Sequence, residues 1–503
     1  MHLELGEPAA VTVEAREPDG NGLRASTELD AASHEIPLVG LRPEHDYSVT
    51  VEVTDGSGDM TSFELGSQAT GSLPDSVPPV EVERAEGVEG YTLFDLARGG
   101  DGDGDNGFLV VLDPGGEIVW WHSQPQSIQD ARQLADGDLV YIHHETGVRQ
   151  LSFDRYGSLV REWVGTTGAE VVPEDDRGNP VTGDDPIRVD TDQMHHEVRE
   201  LPDGNLLTLS REVRTVEYPE NICDDDDFDG TYEVGGDVVV EFEPDTGAIV
   251  REFSLFDVLD PVDNLDRTMA GEFCGPYLDP VYPDRDVRDW THANAVVLDE
   301  ANNRLLVSVR HTDEIIALRY EDDAEGEAGE LLWSLGEGRD FELVDGGEWF
   351  LHPHAPEVLP DGSILLYDNA NRRPGTSIED GPLPESRAVR YELDEEAGTA
   401  EQVWEFGSPA DEGPLYAPYV GDADRTDAGT VLITHGGLLD PPAHGPGDDV
   451  LQHSRILEVD PDDDSVLLDV TIRDPDDETG WRAYRAERLD DLYPPGYEVE
   501  VLD

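Results

Sequence analysis

The sequence predicts an all-β fold, a six-bladed β-propeller preceded by a small N-terminal β-sandwich. Three observations predict it. One strand–turn–strand unit recurs along the chain, a second unit alternates with it, and no comparably long amphipathic helical pattern interrupts them.

The first unit reads GFLVVLDPGGEIVWW from Gly107, GVRQLSFDRYGSLVREW from Gly147 and GGDVVVEFEPDTGAIVREF from Gly235. It returns as DEIIALRYEDDAEGEAGELLWSLG from Asp313, SRAVRYELDEEAGTAEQVWEFG from Ser386 and SRILEVDPDDDSVLLDVTI from Ser454. Each pairs an apolar strand with an acidic or glycine turn and a second strand, the signature of a hairpin. The second unit turns at Leu134, Leu201 and Leu359, and less regularly at Leu298 and Asp427. Two hairpins per repeat give four antiparallel strands, one propeller blade. A pair of β-sandwiches is the alternative, and the regular alternation of two hairpin types favours a ring.

Residues 1–76 form a separate unit. Ile36–Thr54 alternates apolar and polar residues around a proline turn, the pattern of strands with one buried face. Its L-x-P-x-x-x-Y-x-V-x-V resembles the fibronectin type III signature, which implies the sandwich. Residues 77–87 are the linker and 88–503 the propeller.

The 503 residues include 116 acidic side chains against 32 basic ones, all of them arginine, for a formal charge of −84. Acid spread along the whole length repels itself at low ionic strength, and molar salt screens it, so a high-salt environment is expected. Aromatic residues within regular apolar segments argue against a disordered chain. Nucleic acid is excluded as a partner because no basic patch faces its phosphates. Cys223 and Cys274 are an even pair, open between one disulfide and two free thiols. No window suits a membrane span and no leader follows Met1. An extracytoplasmic location, with the leader absent from the chain, is the expectation, and the cytoplasm is the alternative. A homodimer through the N-terminal domain is a further expectation.

Alignment of the blades on the second hairpin exposes a column of histidines. His196 stands five residues before Leu201 and His354 five before Leu359; His292 takes the same place before a longer turn, and Gln129 in the first repeat. Equivalent innermost positions surround a propeller's channel, so the three histidines are expected to converge. Asn294 shares a strand face with His292. Arg310 and Arg211 end the neighbouring strands. The doublet His195–His196 leaves open which ring faces the channel. Converging imidazoles can hold zinc, but the arginines beside them disfavour a cation, and no metal ligand is assigned. Neutral imidazoles with Arg and Asn supply a nucleophile, proton transfer and donors for a tetrahedral oxyanion.

The segments MHHEVRELPDGNLL, DWTHANAVV with LLVSVRHTDEIIAL, FLHPHAPEVLPDGSILLYDNANRR and the tail WRAYRAERLDDLY resemble the arylsulfate sulfotransferase family over about residues 88–493. The resemblance implies sulfuryl transfer from an aryl sulfate to a phenol by a ping-pong route through a sulfated His354. It implies that His292, Asn294 and Arg310 bind the sulfuryl oxygens, with His292 or His196 as acid, then base. It implies neither metal nor cofactor nor an adenylyl sulfate donor, in line with the absence of a G-x-x-x-x-G-K motif. The competing functions are a non-catalytic ligand-binding or adhesion propeller and a metal-dependent hydrolase using the histidines.

Other features read as structural. DGDGDNG at Asp101 and CDDDDFDG at Cys223 are solvated turns. Trp120, Trp121, Trp333 and Trp404 are packing residues. His143, His144, His311 and His435 are placed at the channel mouth or surface.

Overall fold

The computed structural model describes the chain except residues 28–30, 100–105, 145, 154–156, 172–181, 184, 226–227, 263–272, 275–280, 283–284, 379–380, 411, 440–451, 477–478, 494 and 503. The turn at Asp101 therefore lies outside the described residues, as does part of the acidic run after Cys223.

The fold is all-β. Among the described residues the helical elements are Thr166–Val171 and three single 3-10 turns. The reason is in the sequence: β-branched and aromatic residues alternate over short runs that glycine, proline and aspartate punctuate. The recurring first unit forms an antiparallel hairpin each time. Gly107–Leu112 pairs with Ile118–Gln124, Gly147–Leu151 with Leu159–Gly165, and Thr231–Phe242 with Ile249–Ser254. Glu314–Arg319 pairs with Leu331–Leu335, Arg387–Asp394 with Thr399–Phe406, and His453–Asp460 with Ser465–Ile472.

Each of these hairpins extends into a sheet of four or five strands. In five sheets the second unit supplies the other hairpin, with Ile128–Gln133, His195–Glu200, Ala293–Asp299, Pro353–Val358 and Asp422–Arg425 as its first strands. The remaining sheet draws on both ends of the chain. Tyr91–Gly99 pairs with Gly107–Leu112 on one side and with Gly480–Arg482 and Ala486–Leu489 on the other.

The first strands are neighbours in succession: Ile128–Gln133 packs on His195–Glu200, that strand on Ala293–Asp299, then Pro353–Val358, then Asp422–Arg425. Ala486–Leu489 lies against both Val431–Leu438 and Ile128–Gln133, so the series of neighbours returns to its start. Apolar clusters fill the space between successive sheets, such as Leu207, Val239, Leu305 and Ile316. Trp120 and Trp333 are buried in this packing, each 6% exposed, whereas Trp404 is only half-buried and donates its indole N–H to Asp464.

One strand crosses the division expected at residues 77–87 and another forms within it. The C-terminal strand Tyr497–Leu502 pairs with Gly22–Thr27 in the six-stranded sheet of the N-terminal region, and Glu81–Ala85 adds to Ser465–Ile472. A terminal segment paired into a sheet is tied down by its ladder bonds. Cys223 and Cys274 are joined in a disulfide, beside the aromatic cluster of Tyr218, Tyr232, Phe273 and Trp290.

Candidate active site

The first strands of four sheets share an irregularity that aims side chains toward one point. Their ladders slip between Gln129 and Arg132, His195 and Val198, Ala293 and Ala295, and His354 and Glu357. A bulge of this kind inserts unpaired residues and re-directs them. Asp130, His196 and Ala355 lie inside these slips with φ of 50°, 63° and 47°, and His292, just before its strand, has φ of 46°. Left-handed backbone at a residue other than glycine costs about 1–3 kcal/mol and persists where surroundings impose it.

The structure brings His196, His292 and His354 together. The His196 ring lies 5.2 Å from His292 and 5.9 Å from Tyr484, and the His354 ring lies 5.1 Å from the same tyrosine ring. His196 is the member of its doublet that meets the cluster. His195 is turned to the wall, its Nε2 3.3 Å from Asp237 Oδ1, with only a 2.7 Å Nδ1–Nδ1 contact linking it to His196.

His354 is 2% exposed, and the backbone of Gly421 lies within hydrogen-bonding reach of its ring. Burial, then the charges of Arg485 and Arg310, hold its pKa well below the ordinary histidine value. Burial and the neighbouring imidazoles do the same for His196. Both rings are therefore neutral at physiological pH. Behind His354, Gly421 has φ of 111°, and an added Cβ would meet the Tyr367 ring at 2.4 Å, so only glycine fits there.

Arg310 opens a 3-10 turn at the end of Arg304–Val309 and donates to the Pro418 carbonyl at 3.0 Å. Asn294 is fully buried and its amide donates to the carbonyl of Pro353, the residue before His354, at 2.9 Å; Ser308 Oγ donates to the same carbonyl at 3.0 Å. One N–H of Asn294 thus tethers the His354 strand.

Several residues at this centre escaped the sequence reading. Arg485, 1% exposed, donates to Asp130 at 2.8 Å, Glu197 at 2.7 Å and the Asn294 carbonyl at 2.9 Å. Tyr484 donates to that same carbonyl at 3.2 Å. Against burial, Arg485 and Arg132 pull Glu197 down to about 2, whereas burial lifts Asp95, which accepts the Tyr484 and Arg485 backbone N–H groups, to about 7. Tyr484 and Arg485 stand inside the quoted tail segment, so their signal was present but unassigned. Asp95 and Asp130 had no signal, being two carboxylates among many.

Of the four histidines expected at the channel mouth or surface, His144 is half-buried and the other three are buried. His435 and His143 are fully buried, the first paired with Tyr367 Oη at 2.8 Å and the second with Gln124 at 2.9 Å. His311 is buried and stacks on His292 at 4.6 Å.

Asp289, His292 and His311 offer ligand atoms within 4.8 Å of one another. Arg211 Nη2 already donates to Asp289 at 3.1 Å, which places a fixed positive charge beside any cation there. Further along the same first strands, Arg132, Arg199, Glu357, Asp424 and Glu487 line a cavity of about 350 Å³.

The arrangement offers a buried neutral imidazole beside two guanidinium groups and two further imidazoles, a set suited to receiving and passing on an anionic group. The chain is 23% identical over 351 residues to arylsulfate sulfotransferase AssT of Escherichia coli O6:H1, covering 60% of this chain and 52% of that protein. It is 22% identical over 213 residues to AssT of Lelliottia amnigena, 34% of each chain. The aligned part thus spans about half the length of the Escherichia coli relative or less. Among solved structures, a protein of unknown function from Bacteroides caccae is similar at 12% identity and a TM-score of 0.39, over 77% of this chain and 100% of that one. The arylsulfotransferase family model matches residues 95–485, a stretch that holds every histidine of the cluster, and the chain belongs to the arylsulfotransferase family.

Proposed function

We propose that this chain is a sulfotransferase that moves a sulfuryl group from an aryl sulfate to a phenol by a ping-pong route through a sulfated His354, without metal or nucleotide donor. The observation that carries the reading is the buried His354 ring, packed against Tyr484 and held neutral beside Arg310 and Arg485. A neutral imidazole is the nucleophilic form, and guanidinium groups stabilise charge on the equatorial oxygens of the transferred group. In this reading Arg310 and the second N–H of Asn294 hold those oxygens, and His292 or His196 exchanges the phenolic proton. His195 supports His196 from behind.

The six sheets and their circular series of neighbours support a six-bladed propeller whose first strands line the channel. The N-terminal sheet supports a sandwich-type domain, and a homodimer through it belongs to the proposal. The disulfide favours an extracytoplasmic location. The charge of −84 favours a high-salt setting.

The test is intact-mass measurement after mixing with p-nitrophenyl sulfate. The wild type is expected to gain one sulfuryl group and to release it on adding a phenol, and His354→Ala to do neither. A His354→Ala variant that transfers at the wild-type rate refutes the assignment. Binding of aryl sulfates with neither adduct nor turnover supports a binding propeller, and loss of turnover on exhaustive chelation supports a metal-dependent enzyme.

A further inference from the structure

We propose that Asp289 is a positioning residue for His292, gripping the imidazole by Nδ1 so that Nε2 is the nitrogen that exchanges a proton with the phenolic oxygen. The inference rests on the sulfuryl-transfer reading and adds to it which histidine carries the proton and what aims it.

His292 is held from every side but one. Its backbone neighbours are both anchored to Asp237: Thr291 Oγ1 donates at 2.6 Å and the Ala293 N–H at 2.5 Å. Its ring face is covered by His311, whose own Nδ1 lies 3.1 Å from the Asp289 backbone carbonyl. Its Nδ1 lies 2.5 Å from Asp289 Oδ2. The side chain nevertheless stays 24% exposed, against 2% for the residue His354 and 1% for His195, and it shares the open side of the cluster with the half-buried His196, which has no carboxylate of its own among the described residues to aim it. A histidine kept only for packing does not need a left-handed backbone, a carboxylate on one nitrogen and an open edge at the other.

Asp289 is fixed in turn. It closes the strand Val287–Asp289, which runs parallel to Thr231–Phe242 with Asp289 opposite Gly235. Arg211 Nη2 donates to its Oδ1 at 3.1 Å. Burial opposes ionisation of Asp289, but Arg211 and His292 outweigh it and hold the carboxyl well below its usual range. An ionised Asp289 fixes the His292 proton on Nδ1 and leaves the Nε2 lone pair free, and it stabilises the imidazolium that forms.

The proton balance closes over a full cycle. As the acceptor oxygen bonds sulfur, the bond from sulfur to His354 breaks and its electron pair returns to the imidazole. The phenolic proton passes to His292 Nε2. On the next turn His354 bonds the donor's sulfur, the donor's S–O bond breaks, and that proton, taken up from solvent in a first turnover, goes from His292 Nε2 to the released phenolate oxygen.

The test compares single-turnover sulfation of His354 from phenyl sulfate, whose phenolate needs a proton to leave, and from p-nitrophenyl sulfate, whose phenolate does not. Asp289→Asn is expected to slow the first on the order of 10²–10³-fold and the second by less than about tenfold, the range of a lost general acid. Asp289→Glu, which keeps the charge, is expected to show the same preference with a smaller loss. His292→Ala should reproduce the pattern, and the double variant should lose no more than His292→Ala alone. Equal losses for both donors, no loss for either, or a further loss in the double variant overturns the proposal. A wild type that forms no adduct overturns the sulfuryl-transfer reading and this inference together; an adduct with a donor-independent response overturns this inference alone.

Discussion

Arg485 donates to the backbone carbonyl of Asn294 at 2.9 Å, joining residues 191 apart in the chain. The same guanidinium reaches Asp130 and Glu197, so one cation near the C-terminus holds the strands Ile128–Gln133, His195–Glu200 and Ala293–Asp299 at the height of the histidine cluster. Removing one partner of a buried ion pair leaves the others uncompensated, at a cost of about 3–5 kcal/mol. Arg485→Ala is therefore expected to lower the denaturation midpoint by that equivalent and to abolish transfer. A midpoint within experimental error of the wild type contradicts the role.

Arg310 is expected to act on the reaction rather than on folding, because its guanidinium donates to the Pro418 carbonyl and its charge bears on the buried His354 ring. Loss of a donor to developing charge costs on the order of 10²–10³ in kcat. Arg310→Met should show that loss with an unchanged unfolding midpoint. Arg310→Lys should recover little, since an ammonium lacks the planar fork. Steady-state kinetics with an aryl sulfate decide it.

Acid stability should depend on His435. Burial first, then Arg455, pushes its pKa down to about 3. In the unfolded chain it titrates near 6.5, so the unfolded state binds the extra proton between those values. Stability from this residue is therefore complete above about pH 6.5 and is lost as the pH falls toward 3. His435→Gln should flatten that slope in denaturation midpoints measured from pH 7 to 4. An unaltered slope means the group does not titrate as its burial requires.

The Cys223–Cys274 bond closes a separation of 51 residues. Cross-links of this kind stabilise by about 2–4 kcal/mol, chiefly through the unfolded chain. Reduction, or Cys223→Ser with Cys274→Ser, is expected to lower the melting temperature without removing activity at ambient temperature. Loss of activity at a temperature where the fold survives would show that the bond also shapes the site.

Salt should be required. The Debye length falls from about 10 Å at 0.1 M to about 3 Å at 1 M, which screens most surface carboxylate pairs. The melting temperature is expected to rise steadily from 0.1 M to molar sodium chloride. A flat profile would mean that the −84 charge is balanced within the fold.

Much of the fold was legible because its signals are local. The six hairpins from Gly107 to Ser454 each carry their turn and their apolar alternation within some twenty residues, a range over which pattern and structure agree. The convergence of His196, His292 and His354 was legible for the same reason: identical units place equivalent residues at equivalent points. The doublet His195–His196 was not, because a bulge with positive φ decides which ring turns inward, and a bulge leaves no pattern in alternation. The partnership of Tyr497–Leu502 with Gly22–Thr27 was equally hidden, since strand pairing at that distance has no local signature.

The sequence by itself determined the all-β class, the repeat and the histidine column, because hydrophobic periodicity and register are properties of short segments. Only the tertiary structure decided that Asp289 and Arg211 stand behind His292, that Arg485 underlies Asn294, and that His435 is buried. Arg211 reaches Asp289 across 78 residues and Arg485 reaches Asn294 across 191; Asp289 is only three residues from His292, but in a chain with 116 carboxylates nothing but the packed geometry singles out the few that matter.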